Sequence, residues 1–220
     1  MSTPVIQLIV LAAIAIFLIL RLRDVLGTRE GFEKPVVTRD EATRIKNRDR
    51  FEVIEGGPDT DITDHVEDGS DNAEALAQMK SAEPSFSVSE FLGGARGAYE
   101  MILMKFEAGE MAAIQPFLST EVYESFATVV EEREKQGLTI DANFVGVREM
   151  KLVEAEFDPE TSEGEITVKF VGELTSVVRD KSGEIVEGSP NEVKKQKDIW
   201  TFARIMGSDN PNWQLVATGG

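Results

Sequence analysis

From Phe86 to Gly109 the chain reads FSVSEFLGGARGAYEMILMKFEAG. This stretch decides the fold. Ser87-Val88-Ser89-Glu90 has the spacing of a capping box, with Phe86 placed to staple onto Phe91. Phe91, Ala95, Ala98, Ile102 and Phe106 recur at helical spacing, and Leu92, Tyr99 and Leu103 form the adjoining stripe. The pattern predicts a long helix ending at Ala108-Gly109. A short apolar run, Met111 to Leu118, is interrupted by Pro116. Ser119 then caps a second helix, which runs to Gln136 with Gly137 as its stop. Val122, Phe126, Val129 and Val130 make its inner side, and Glu131, Glu132 and Glu134 face water.

Beyond Gly137 the apolar period falls from 3.6 toward 2. Leu138 to Phe157 reads as one long bent strand or two shorter ones. Residues 158–164 make a turn. Ile166, Val168, Phe170 and Leu174 then alternate with polar residues, as in a half-buried strand. Residues 179–183 are a second turn, and residues 188–191 read as irregular. Glu192 to Ile205 is a strand carrying Ile199, Trp200 and Phe202, and Trp213 to Thr218 is the last. Helices followed by antiparallel strands specify an α+β domain. Its length, about 130 residues, suits a single core.

Upstream the character changes. Val5 to Leu20 reads VIQLIVLAAIAIFLIL, without a charge. As a helix, residues 1–20 span about 30 Å, the thickness of a hydrocarbon core. Arg21 and Arg23 follow directly. No basic residue precedes the run and no small-residue cleavage site follows it, which disfavours a signal peptide. The positive-inside bias from Arg21, Arg23, Arg29, Lys34 and Arg39 puts the N-terminus outside and the remainder in the cytoplasm. Residues 1–23 are therefore read as a transmembrane anchor. Residues 24–84, rich in charge and poor in large apolar side chains, read as an acidic flexible linker, with short helical patches near 39–50 and 72–80. Residues 85–220 form the folded domain.

The chain carries 40 acidic and 23 basic residues, a net charge of −17. That field repels nucleic acid, which is excluded as a partner. There is no cysteine, so disulfides, thiolate metal sites and cysteine nucleophiles are excluded. The single histidine, His65, falls in the acidic linker and reads as a solvated side chain, which removes histidine-based triads and metal sites. Gly93-Gly94-x-x-Gly97 is not a phosphate loop, because no strand precedes it and no Lys-Ser/Thr follows. These glycines read as small residues for close packing of helix on sheet. No cofactor is expected.

Three features carry a family resemblance: the helical pair Phe91–Tyr99 and Phe117–Phe126, the closing Lys197–Arg204 with Asn210–Leu215, and the span followed by Leu26-Gly27-Thr28-Arg29. Together they resemble a bacterial member of the Tim44-like domain family, named for a subunit of the mitochondrial inner-membrane protein translocase. The resemblance covers roughly residues 86–220. It implies a cone-shaped α+β domain like nuclear transport factor two, with helices packed on a curved antiparallel sheet. It also implies a non-catalytic interaction or scaffold protein of the bacterial inner membrane, linked to protein translocation or membrane organisation. The mitochondrial relative joins an import channel to its chaperone motor and has been linked to acidic phospholipids. This chain is read as lacking the long basic chaperone-contacting region, so chaperone recruitment does not carry over, and its acidic domain speaks against recognition of acidic phospholipid.

Such cones also host acid–base enzymes, and an isomerase or dehydratase is the alternative reading. Tyr99, Tyr123, Asp141 and Asp198 are its candidate residues, each also readable as a core or rim tyrosine or a surface aspartate. Trp200, Phe202 and Trp213 read as core or as the lining of an apolar pocket. With Tyr99 and Met101 they make the candidate pocket, and Met104 and Met111 suit an adaptable wall. The expected partners are the membrane, through the N-terminal helix, and an unidentified protein, with a lipid or acyl chain as the alternative ligand.

Overall fold

The computed structural model describes residues 59–219. The predicted anchor (Val5, Leu20) and its flanking Arg21 and Arg23 lie outside them. No described helix is long and apolar enough to cross a membrane. In chain order the elements are α1 (Thr60–Thr63), α2 (Asp71–Ala82), α3 (Val88–Glu107), α4 (Met111–Ile114), a 3-10 turn (Gln115–Phe117), α5 (Thr120–Gln136), β1 (Thr139–Asp158), β2 (Glu163–Arg179), β3 (Ile185–Ile205) and β4 (Gln214–Gly219). The strands form one antiparallel sheet in the order β1-β2-β3-β4. The architecture is α+β.

The helix signals in the sequence act as read. The Ser87 hydroxyl accepts from the Glu90 N–H, and α3 buries Val88, Phe91, Leu92, Ala95, Tyr99, Ile102 and Leu103. Ser119 caps α5, and Gly137 ends it in the left-handed conformation at φ 71°. The staple differs: Phe86 and Phe91 both meet the Trp213 ring, at 5.9 and 4.7 Å. Val129, assigned to the inner side of α5, is exposed. The stretch at 188–191 is not a connection but part of β3. There Leu174 pairs with Lys194 while Ser176 pairs with Ser189, so the extra residues bulge out of an otherwise continuous ladder.

The largest correction concerns the linker. It does not extend to residue 84, because residues 59–82 are folded. Ser70 caps α2, whose Leu76 and Met79 are fully buried. Asn72 works as a substitute strand. Its amide donates to the Val153 carbonyl (3.1 Å) and its oxygen accepts from the Ala155 N–H (3.0 Å). This satisfies backbone groups on the free edge of β1 that would otherwise invite pairing. His65 is also not a solvated linker side chain: it is only partly exposed, with Nε2 3.1 Å from Ser89 Oγ.

Asp61 holds this N-terminal segment against α3. Its carboxylate accepts from the Val88 N–H (2.8 Å), the Ser89 N–H (3.0 Å) and the Ser87 hydroxyl (3.1 Å), with Lys80 Nζ 2.8 Å away. Burial alone would raise the Asp61 pKa. The hydrogen bonds from Lys80, Ser89 and Val88 overcome it and hold the carboxyl below the ordinary value of 3.8. A depressed folded-state pKa contributes stability that is complete above the unfolded value and disappears as the pH falls below it. In acid titrations of stability, Asp61→Asn is therefore expected to flatten the loss below about pH 4. A slope equal to that of wild type would refute the assignment.

The glycines of α3 do not pack against the sheet. Gly93, Gly94 and Gly97 are exposed, and a Cβ at any of them would meet nothing within 4 Å. Helix-interior glycine costs roughly 0.5–1 kcal/mol relative to alanine. Gly93→Ala and Gly97→Ala are therefore each expected to raise stability by about that amount, read from the urea midpoint.

Candidate functional site

Among the described residues, Tyr99 is the largest fully buried side chain. Its ring stacks on Phe170 (4.4 Å between centroids, 6° between planes) and tilts against Trp200 at 4.8 Å. Its hydroxyl donates to Asp198 Oδ2 at 2.5 Å, and Gln196 Nε2 donates to the other carboxylate oxygen at 3.2 Å. Burial, then the hydrogen bond and charge of Asp198, push the Tyr99 pKa far above its ordinary value of 10. The hydroxyl thus stays protonated. Gly172 makes room for it, since a Cβ there would sit 2.7 Å from the oxygen.

Of the four candidate acid–base residues, the fold brings together only Tyr99 and Asp198. Asp141 is exposed on β1, and Tyr123 lies on α5 with its ring partly buried. Tyr99 is completely inaccessible. The pair serves as an internal hydrogen bond that satisfies a phenol within an aromatic cluster. A substrate could not reach the Tyr99 hydroxyl without opening the core, whereas Asp198 is partly exposed.

The candidate pocket is likewise rearranged. Tyr99 and Trp200 are core residues, and Met101 is a partly buried side chain packed against that core. Phe202 and Trp213 instead line a groove of about 350 Å³ between the first half of α3 and the end of β3 with its following loop. Phe86, Phe91 and Phe117 complete the aromatic walls, while Gly94, Ala95 and Ala98 line it from α3. Met104 and Met111 are not among the lining residues. The bare face of α3 at Gly94 therefore lies in the groove, where the lack of a side chain leaves space.

One end of the groove is polar. Arg204, only 8% exposed, donates from Nη2 to Glu83 Oε2 at 2.5 Å. Its guanidinium lies over the Trp213 ring at 5.3 Å, and Nη1 reaches the Pro211 carbonyl at 3.4 Å. Nε is buried without a hydrogen-bond partner. Glu83 also accepts from the Gly207 N–H at 2.8 Å. The Arg204 hydrogen bond, opposed by burial and aided by the Gly207 N–H, lowers the Glu83 pKa. Glu83 is consequently an ionised structural partner, unsuited to donating a proton. Glu90, at the rim, is exposed.

Arg204 and Glu83 were missed in the sequence. The signal for Arg204 was present: it follows Trp200 and Phe202 at period two, so it shares their face of β3. Glu83 carried no local signal, since its partner is 121 residues away. Among the described residues no group of acidic or histidine side chains is arranged to hold a metal ion. Glu156, Asp158, Glu163 and Glu165 do converge at one end of the sheet. There burial, followed by the charges of Glu163 and Glu156, raises the Glu165 pKa.

The chain is similar to the mitochondrial import inner membrane translocase subunit TIM44-1 of Arabidopsis thaliana, 22% identical over 198 residues, covering 84% of this chain and 40% of that protein. It is similar to subunit TIM44 of Homo sapiens, 22% identical over 161 residues, covering 71% of this chain and 35% of that one. The chain thus spans about two fifths or less of the relatives it matches. Among solved structures, the intermembrane-space region of the chloroplast protein ARC6 superposes with a TM-score of 0.38 at 10% identity, over 56% of this chain and 94% of that one. Residues 72–220 match the Tim44-like domain, from α2 through the last strand. The chain belongs to the Tim44-like domain family.

Proposed function

We propose that this protein is a non-catalytic interaction module held at a bacterial inner membrane by its N-terminal apolar segment. Its Tim44-like domain sits on the cytoplasmic side and grips a segment of a partner protein in the α3 groove. The domain has the cone form of nuclear transport factor two, and its role lies in protein translocation, which the names of its relatives support, or in membrane organisation. Tethering raises the effective concentration of the groove near membrane partners.

The observation that carries this reading is the composition of the groove. Aromatic walls stand over Gly94, where a partner backbone can approach closely, and the groove contains no acid–base pair. Residues 59–219 hold 32 acidic and 14 basic side chains, so an anionic lipid surface is disfavoured relative to a protein. Of the two residues assembled for the isomerase or dehydratase alternative, Tyr99 is sealed in the core and hydrogen-bonded to Asp198, which is partly exposed.

A photo-crosslinking side chain at Gly94, in the full chain in intact membranes, is expected to yield a defined protein adduct. Trp213→Ala should reduce that adduct by about tenfold or more, as for an aromatic anchor at an interface centre. The same probe at exposed Glu160 should give none. Adducts of equal yield at both positions, or adducts to phospholipid alone, would overturn the reading. Release of the full chain by carbonate washing would overturn the anchoring.

A further inference from the structure

The walls of the groove come from distant parts of the chain, and one strap, Asp59–Glu83, grips both. At one wall, Asp61 takes hydrogen bonds from the first turn of α3, at Ser87, Val88 and Ser89. At the other, Glu83 holds Arg204 of β3 and the Gly207 N–H of the following loop. Lys80 ties the strap together, with Nζ 2.7 Å from Asp59 and 2.8 Å from Asp61. Leu76 and Met79 fix it in the core. Arg204 extends the grip to Trp213, whose ring its guanidinium covers.

We propose that the strap is a latch for the groove: when Asp61 and Glu83 are engaged the two walls are held in register, and when either lets go both walls loosen. The functional consequence rests on the groove being the binding site. An occupant that requires the latched walls must in turn tighten the strap, because coupling between sites is reciprocal. The strap is also the segment through which the residues before Asp59 join the domain.

Hydrogen exchange on the full chain, without any ligand, tests the latch. Asp61→Ala removes acceptors from residues 87–89, so faster exchange there follows whether or not the walls are coupled. The deciding segment is 204–213, which shares no hydrogen bond with Asp61. The latch predicts about tenfold faster exchange there, the scale of one lost charge-assisted contact expressed as local opening. Glu83→Gln should reciprocally speed exchange at 87–89. If Asp61→Ala fails to fold, Asp61→Asn, which keeps an acceptor oxygen but loses the charge, carries the test with a smaller change in the same two segments. Exchange at 204–213 equal to wild type in a folded Asp61 variant overturns the latch. That outcome leaves the crosslinking result at Gly94 untouched, and absence of a Gly94 adduct leaves the latch intact.

Discussion

Leu76→Ala and Met79→Ala are each expected to cost about 2–5 kcal/mol of folding stability. Both side chains are fully buried, although they lie in a segment whose composition reads as a solvated tether. The size of the effect follows from what surrounds them. A Cβ placed at Gly164 would meet Met79 Cε and Sδ at 3.1 Å and Met206 Sδ at 3.3 Å, so the thioether fills space that β2 leaves by having no side chain there. Removing it leaves a cavity that the sheet backbone cannot collapse to fill. Urea denaturation of the full chain, followed by circular dichroism, measures the loss. Changes below about 0.5 kcal/mol, typical of an exposed position, would return residues 71–82 to the linker.

The second large effect is expected at Gly172. Gly172→Ala puts a methyl 2.7 Å from the Tyr99 hydroxyl, inside van der Waals contact with a group that has no room to move. Tyr99 is clamped by Phe170, Trp200 and the hydrogen bond to Asp198. Overpacking of this kind costs about 1–3 kcal/mol. Tyr99→Phe alone should also destabilise, because a hydrogen bond to a charged acceptor is worth about 1.5–3 kcal/mol. The informative variant is the double substitution. Deleting the hydroxyl removes the closest contact and leaves the ring carbons Cε1 and Cζ at 3.0 and 3.3 Å, so the two losses should fall short of additive by more than about 0.5 kcal/mol. Strict additivity would show that Gly172 and Tyr99 do not share this space.

Much of the α+β framework was legible in the sequence because its signals are local. Ser87, Ser119 and Gly137 act within one turn of their helices, and the fall in period after Gly137 reflects one strand residue following another. The site was less legible. Tyr99, Met101, Trp200, Phe202 and Trp213 are all large and apolar, and hydrophobicity does not distinguish a core side chain from a groove wall. Only Phe202 and Trp213 reached the groove, because Trp213 lies just ahead of β4, where the chain leaves the ladder. Tyr99 and Asp198 were singled out as chemistry, and their pairing is real. The burial of Tyr99, which no spacing reveals, makes its side of the pair structural.

Residues 59–82 show the same division. Their charge density describes the outer face of the strap, while four buried side chains of α2, Ala73, Ala75, Leu76 and Met79, settle where it lies. The glycines of α3 were misassigned for a related reason: a missing side chain fits close packing and open space equally well until the neighbouring elements are placed. The amino-acid order alone determined helices α3 and α5, the strands' alternation, the succession from helices to strands and the exclusion of cysteine chemistry, since each depends on residue type or on neighbours within a few positions. Tertiary structure alone decided that Asp61 grips α3, that Glu83 meets Arg204 across 121 residues and that a groove opens between them. Those contacts depend on which distant surfaces meet, and local periodicity carries no record of that.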